Sequence, residues 1–198
     1  GGLKVFVCEK VDGTPIELGP FVGVSQFGRV ALLKGSTDYE TKRYLLDKPV
    51  TVENLRQFHA DFKNKKLKVF IRSEEDPGVQ SGPIHKITSN TLSKYFPGKL
   101  DNFALLVTES HCKKCDRYAD LYKKLAEKYG SKLTFGVADV GKNDLHGIEY
   151  PEVPSVLFFT KNDKLGAHYS GKSDFEKLES FMKKSLRELF EGQEKVDL

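Results

Sequence analysis

The sequence predicts an α/β fold in which strands alternate with helices and a central sheet is covered on both faces. After residue 83, short and almost wholly apolar runs alternate with longer stretches whose apolar residues recur every three or four positions. The first pattern is typical of strands buried on both faces, and the second is typical of helices with one buried face. Because 38% of the 198 residues are hydrophobic, the chain has enough apolar side chains to close a core, which excludes a wholly disordered chain.

The N-terminal part of the chain predicts three strands and one helix. Residues 3–7 alternate like a strand, and residues 29–33 and 42–46 predict two more. A turn around residues 35–38 would join the last two as a hairpin. Thr51 can cap a helix whose apolar residues follow at helical spacing, namely Val52, Leu55, Phe58 and Phe62. These elements are few for an independent domain, because small domains bury a smaller share of their surface.

A linker is predicted at residues 74–83. Its sequence, EEDPGVQSGP, combines charges with prolines and glycines and has no apolar periodicity. The linker divides the chain into a partial domain at residues 1–73, a complete domain at residues 84–190 and a tail at residues 191–198.

The complete domain predicts alternating strands and helices. The predicted strands are residues 103–108, 133–138 and 156–159. The predicted helices are residues 112–129, 143–148 and 174–190. Gly130 would end the first of these helices, since glycine is the usual residue just after a helix.

Charge and hydropathy exclude two classes of partner. The 32 basic and 28 acidic residues leave a net charge of +4, without the concentrated basic face that nucleic-acid binding needs. No apolar run approaches the ~20 residues of a membrane-spanning helix. We therefore expect neither nucleic acid nor membrane as a partner.

Two of the three cysteines, Cys112 and Cys115, stand three residues apart where a predicted strand passes into a helix. The partial positive charge of a helix N-terminus favours the thiolate, which is the nucleophile in disulfide exchange. Lys113, Lys114 and His111 add positive charge beside it. We interpret the pair as a redox dithiol in which Cys112 attacks and Cys115, one turn further in, resolves.

Other interpretations of the pair stay open at this point. The cysteines could form a structural disulfide or be incidental thiols. A zinc site with His111 and a further ligand such as His146 lacks the second CxxC, or the paired histidines, of a strong zinc motif. We expect no metal, and we interpret the other histidines as packed or surface residues: His59, His85, His146 and His168.

Residues 83–190 resemble the C-terminal catalytic thioredoxin domain of protein disulfide isomerases. The matching segments are FALLV, the CxxC, YADLYKKLAEKYG, VAD ending at Asp139, VPSVLFF and YSGKSDFEKLESFMKK. Residues 3–73 resemble the second half of the non-catalytic b′-type domain that precedes it in this family, most closely in ENLRQFHADFKNKKLKVFIRSEEDP. The resemblance implies a thioredoxin-like fold, with a mixed central sheet covered by helices, preceded by a partial thioredoxin-like domain.

The resemblance also implies a function. A member of this family oxidises, reduces and rearranges disulfides in secretory-pathway proteins, here through a Cys-Lys-Lys-Cys dithiol. A cis-proline at the position of Pro154 would lie beside the disulfide and, with Val153, position a bound peptide. Alternatively, Pro154 is only a proline at the start of a strand.

The expected partners are unfolded or disulfide-containing proteins and an upstream thiol oxidase or reductase, and no cofactor is expected. The expected location is the lumen of the endoplasmic reticulum. The last residues, Lys195, Val196, Asp197 and Leu198, partly resemble a retrieval signal for that compartment.

The chain departs from the family at positions that carry chemistry. In the motif Trp-Cys-Gly-His-Cys, His111 replaces Trp, Lys113 replaces Gly and Lys114 replaces the central His. Leu106 stands where the family has a buried glutamate, and Ser173 stands where it has a mobile arginine. We therefore expect proton transfer at the second cysteine, Cys115, to be impaired. This slows the release step of disulfide exchange more than the attack by Cys112.

Two other functions therefore stay open. One is a peptide-binding, chaperone-like module with weak or no isomerase activity and a largely static disulfide. The other is an electron-transfer adaptor for a single partner. From its length of 198 residues, we interpret the chain as a C-terminal fragment of a longer protein.

Overall fold

The computed structural model describes residues 30–34, 42–96, 99–100, 102–161, 163 and 165–187. The chain divides into two compact units, Gly1–Ile71 and Arg72–Leu198, and each is described by itself. Three predicted features lie outside the described residues: the strand at residues 3–7, the turn around residues 35–38 and the tail at residues 191–198.

The first unit contains an antiparallel strand pair and a helix. Strands β1 (Ala31–Lys34) and β2 (Lys42–Leu45) pair in antiparallel register. Helix α1 (Val52–Lys63) begins after Thr51, whose Oγ1 accepts a hydrogen bond from the Asn54 amide at 3.1 Å. Such a side-chain acceptor satisfies one of the free amides at a helix start. These two strands and this helix are confirmed.

The second unit is built on a mixed sheet of five strands. They are β3 (Ile84–Lys86), β4 (Asn102–Thr108), β5 (Thr134–Asp139), β6 (Ser155–Thr160) and β7 (Ala167–Tyr169). The order across the sheet is β3-β5-β4-β6-β7. The first three strands in this order are parallel, while β6 is antiparallel to β4 and β7 is antiparallel to β6. The predicted mixed sheet is confirmed.

The sheet has an apolar cluster on each face. Alternate residues of β4 enter the two clusters: Ala104 and Leu106 enter one, and Phe103, Leu105 and Val107 enter the other. Consecutive residues of β4 are all apolar because the strand is buried on both faces. The apolar runs in the sequence predicted this correctly.

The two long helices pack on the same face. Helices α2 (Lys113–Tyr129) and α3 (Phe175–Ser185) both contribute residues to the cluster that contains Leu106. The other face is covered by a short 3₁₀ helix (Leu92–Lys94) and by the residues around Leu145 and Ile148. The sheet is therefore covered on both faces, as predicted, with the two long helices on one face and the 3₁₀ helix and loop residues on the other.

The helix predicted at residues 143–148 is wrong, because this segment is a loop with one turn at residues 146–147. Gly147 has a φ of 82°, which a right-handed helix does not allow. Asn143 is buried, and its side-chain amide donates to the Asp139 carbonyl at 3.0 Å and to the Glu74 carboxylate at 2.9 Å. Side-chain bonds of this kind compete with helix formation. The helix predicted at residues 174–190 is observed as α3, Phe175–Ser185, and residues 188–190 lie outside the described residues.

The beginning of the second unit is held by specific hydrogen bonds. The Arg72 guanidinium donates to the Val140 carbonyl at 2.8 Å. The Glu74 amide donates to Asn143 Oδ1 at 3.0 Å, and Lys86 Nζ lies 2.9 Å from the Glu74 carboxylate. The first residues of the predicted linker thus lie against the second unit. Among the described residues, no helix is long and apolar enough to cross a membrane.

Candidate active site

The two cysteines stand where β4 passes into α2. Cys112 is the N-cap residue of α2, and its amide donates to the Glu109 carbonyl at 3.3 Å. The Cys115 amide donates to the Cys112 carbonyl at 2.9 Å. His111 has a φ of 70°, a left-handed conformation in which histidine is more common than most side chains. The chain therefore turns sharply before the helix and presents its first turn at the end of the sheet.

Cys112 and Cys115 form a disulfide, with their Cα atoms 5.3 Å apart. The two residues differ in exposure, because Cys112 is half-buried whereas Cys115 is only 4% exposed. An incoming thiolate therefore has access to the Cys112 residue, while Cys115 is shielded by the protein.

The predicted charged residues flank Cys112 in the sequence. His111, Lys113 and Lys114 are all exposed. The described part of the chain forms no ion pair to either lysine. Positive charge beside a cysteine and at a helix N-terminus stabilises a thiolate.

The sheet topology brings the Val153-Pro154 segment to the same end of the sheet. The Val153–Pro154 peptide bond is cis, as the resemblance predicts. Ser155, the first residue of β6, stands opposite Val107 near the end of β4. The loop before β6 and the loop that carries Cys112 therefore leave the sheet side by side.

The departures from the family pattern are also visible. Leu106 is 2% exposed and stands between Val137 and Val156 in neighbouring strands. The space that a proton-accepting carboxylate would use is thus filled by an apolar side chain. Ser173 is exposed.

Sequence reasoning missed a hydrogen bond that joins the loop before Cys112 to the end of β5. Ser110, two residues before Cys112, donates its hydroxyl to Asp139 Oδ2 at 2.6 Å. Asp139 also accepts from the Gly141 amide at 2.9 Å and lies 3.4 Å from Lys142 Nζ. Burial raises the pKa of this carboxyl, but these three partners outweigh burial and hold it below its usual value. The only sequence signal was the position of Asp139 at the end of a strand.

A second missed contact lies under the Val153-Pro154 segment. The Ser155 hydroxyl donates to the Glu152 carbonyl, and its oxygen lies 3.3 Å from Nε2 of His168 in β7. Partial burial lowers the pKa of His168, although the nearby Glu152 carboxylate opposes this effect. Sequence reasoning treated His168 as a packed or surface residue, because nothing local connects it to Ser155.

A metal site receives no support from the described residues, among which no three His, Cys, Asp or Glu side chains are grouped so as to hold an ion. His146, the suggested fourth zinc ligand, is exposed on the turn before Gly147.

Residues 113–192 match the family model of a thioredoxin-like domain. Protein disulfide isomerase-like 1-3 of Arabidopsis thaliana is 27% identical over 171 residues, covering 82% of this chain and 29% of that protein. Protein disulfide-isomerase A4 of Homo sapiens is 26% identical over 150 residues, covering 73% of this chain and 23% of that protein.

The chain therefore spans less than a third of the length of these two relatives. The crystal structure of thioredoxin f from spinach chloroplast is 17% identical and aligns with a TM-score of 0.42, over 52% of this chain and 85% of that one. The second unit has a thioredoxin-like α/β fold, as the sequence predicts.

Proposed function

We propose, on the premise that this chain belongs to the protein disulfide isomerase family, that it exchanges thiols and disulfides with protein substrates through Cys112 and Cys115. The observation that carries the proposal is the asymmetric disulfide at the start of α2, with one accessible and one buried cysteine. The names of the two relatives support the same chemistry.

Oxidation of a substrate begins at the accessible cysteine. A substrate thiolate attacks Sγ of Cys112, the bond to Cys115 breaks, and its electron pair leaves on Sγ of Cys115, which takes up a proton. The second substrate thiolate then attacks the substrate sulfur of the mixed disulfide, and Cys112 leaves as a thiolate. The substrate loses two electrons and the protein gains them.

Isomerisation uses the reduced pair. The Cys112 thiolate attacks a substrate disulfide, and a different substrate thiolate then attacks the substrate sulfur of the mixed disulfide and releases Cys112 as a thiolate. If Cys115 attacks Sγ of Cys112 instead, the protein disulfide forms again and the substrate leaves reduced by two electrons. Lys113, Lys114 and His111 stabilise the thiolate through their charges. Val153 and Pro154 position the substrate backbone beside Cys112.

The proposed substrates are unfolded or disulfide-containing proteins of the secretory pathway, and the proposed location is the lumen of the endoplasmic reticulum. Disulfides form and persist in such oxidising compartments. An upstream thiol oxidase or reductase would set the direction of electron flow. The division into a partial b′-type domain, a linker at residues 74–83 and a redox domain is part of the same proposal.

The test compares single cysteine variants. Cys112→Ser should abolish insulin reduction and the refolding of a scrambled disulfide protein, because no nucleophile remains at the accessible position. Cys115→Ser should accumulate a mixed disulfide with substrate, since the resolving thiol is missing. The proposal fails if Cys112→Ser changes neither rate.

A second candidate is a peptide-binding module with a largely static disulfide, and the apolar Leu106 favours it. Without a nearby proton acceptor, the Cys115 thiol would lose its proton slowly and would therefore resolve the mixed disulfide slowly. The reduction potential of the Cys112-Cys115 pair separates the two functions. A potential below about −300 mV indicates a structural disulfide, and one near −180 mV indicates an active disulfide donor. An adaptor for one partner would instead exchange with that partner and lack isomerase activity.

A further inference from the structure

Ser155 is a fully buried polar residue at the start of β6, and its hydroxyl lies between two partners. The residue has 0% of its surface exposed. Its oxygen contacts the Glu152 carbonyl on one side and Nε2 of His168 on the other. A buried hydroxyl without partners would be destabilising, so these contacts are what makes a serine acceptable here.

The chemistry of the groups fixes the direction of both hydrogen bonds. A carbonyl oxygen only accepts, so the single hydroxyl proton of Ser155 is donated to Glu152. The Ser155 oxygen then accepts from His168, which requires the imidazole proton on Nε2. His168 is therefore the first donor in a chain of hydrogen bonds that ends on the Glu152 carbonyl, in the loop before β6.

The strand register makes this chain of bonds a link across the sheet. His168 stands opposite Leu157 in β6, two residues after Ser155. Glu152 lies immediately before Val153 and Pro154, the segment proposed to position peptides. The imidazole of His168, on an edge strand, is thus connected through the Ser155 hydroxyl to the loop that is proposed to position peptides.

The charged surroundings are compatible with a neutral imidazole in this place. The Glu152 carboxylate faces both His168 and Tyr118 of α2. Burial lowers the pKa of His168 and so favours the neutral ring at neutral pH. Tyr118 packs against the opposite face of the sheet and donates its hydroxyl to the Gly171 carbonyl at 2.8 Å.

We propose that His168 is a positioning residue for peptide substrates, which acts through Ser155 to hold the loop that contains Val153 and Pro154. This inference rests on the proposed function. His168 takes no part in sulfur exchange. It determines how well an extended peptide binds beside Cys112.

The test uses His168→Leu, which removes the donor, and His168→Gln, whose side-chain amide can replace it. His168→Leu should raise the Kd of the oxidised protein for a cysteine-free extended peptide about fivefold, as expected from the loss of one hydrogen bond. The KM for a disulfide-containing peptide should rise equally, while kcat and the rate with a small disulfide stay unchanged. His168→Gln should restore both constants, and Ser155→Ala should behave like His168→Leu.

His85 provides a matched control. It lies on β3 at the opposite edge of the sheet, and its Nδ1 is 3.2 Å from the Tyr95 hydroxyl. His85→Leu also loses one hydrogen bond of an edge-strand histidine, but it should leave peptide binding unchanged.

Peptide binding and sulfur exchange are read separately. The inference is overturned if His168→Leu binds the peptide as the unchanged chain does, if His168→Gln fails to restore binding, or if the unchanged chain binds no peptide. The proposed function is overturned if Cys112→Ser exchanges with the small disulfide as fast as the unchanged chain.

Discussion

At the scale of single residues, Asp139 joins the end of β5 to the loop that precedes Cys112. Asp139→Ala should lower the free energy of unfolding at pH 7 by about 1–3 kcal/mol, because the Ser110 hydroxyl and the Gly141 amide lose a charged acceptor. Asp139→Asn, which keeps an oxygen acceptor, should lose less. Denaturant unfolding measures both values.

The pH dependence of this effect has a definite sign. The pKa of Asp139 lies below its usual value in the folded protein. Its contribution is therefore complete above the unfolded pKa of about 3.9 and is lost as the pH falls through the lower folded value. The difference between the unchanged chain and Asp139→Asn should shrink in this acid range. A difference that is constant from pH 7 to pH 2 contradicts the assignment.

Gly136 is required because the sheet is closely packed around it. A Cβ at this position would lie 2.7 Å from Cγ1 of Ile87 and 2.9 Å from Cζ of Phe103. Gly136→Ala should therefore lower the free energy of unfolding by about 1–3 kcal/mol. Gly82→Ala is the control, since its nearest neighbour is the Ile84 carbonyl oxygen at 3.8 Å. Equal stability of the two variants in denaturant would argue against this packing.

The residues of the candidate site differ in how far the sequence predicts them. Cys112, Cys115 and Pro154 belong to short local motifs, and the structure places them at one end of the sheet. The contact between Ser110 and Asp139 joins residues 29 positions apart, and that between Ser155 and His168 spans 13 positions. Such pairs depend on strand order and register, which no local pattern contains.

At the scale of elements, α3 depends on its N-cap residue, Asp174. Asp174 Oδ1 accepts a hydrogen bond from the Lys177 amide at 3.0 Å, and the helix buries Leu178 and Met182 completely. Asp174→Ala should lower the free energy of unfolding by about 1 kcal/mol, whereas Asp174→Asn, also a good cap, should cost little. Thermal unfolding checks both. If the alanine and asparagine variants are equally stable, the cap does not contribute.

Long elements with a continuous pattern were predictable, and short ones were not. The apolar run of β4 and the helical spacing of α2 each extend over several residues, so burial alone indicates them. Strands β3 and β7 are three residues long, which is too short to show a period. At residues 143–148, the left-handed Gly147 and the side-chain bonds of Asn143 override an apolar spacing that suggested a helix.

At the scale of the whole molecule, the boundary between the units can be tested by truncation. A fragment of residues 72–198 should unfold cooperatively and at a higher temperature than one of residues 84–198. The shorter fragment loses Glu74, and the buried Asn143 then loses its two hydrogen bonds to that residue. Calorimetry of both fragments measures the difference. Equal melting temperatures would show that residues 72–83 do not stabilise the second unit.

The two edges of the five-stranded sheet are formed by its shortest strands, β3 and β7, of three residues each. Exposed sheet edges recruit unfolded chains as additional strands, which is a common start of aggregation. Under the proposed function, this protein meets unfolded chains continually. Edges this short offer few free backbone groups for pairing. A substrate chain bound at the end of the sheet can therefore dissociate without pairing with an edge strand.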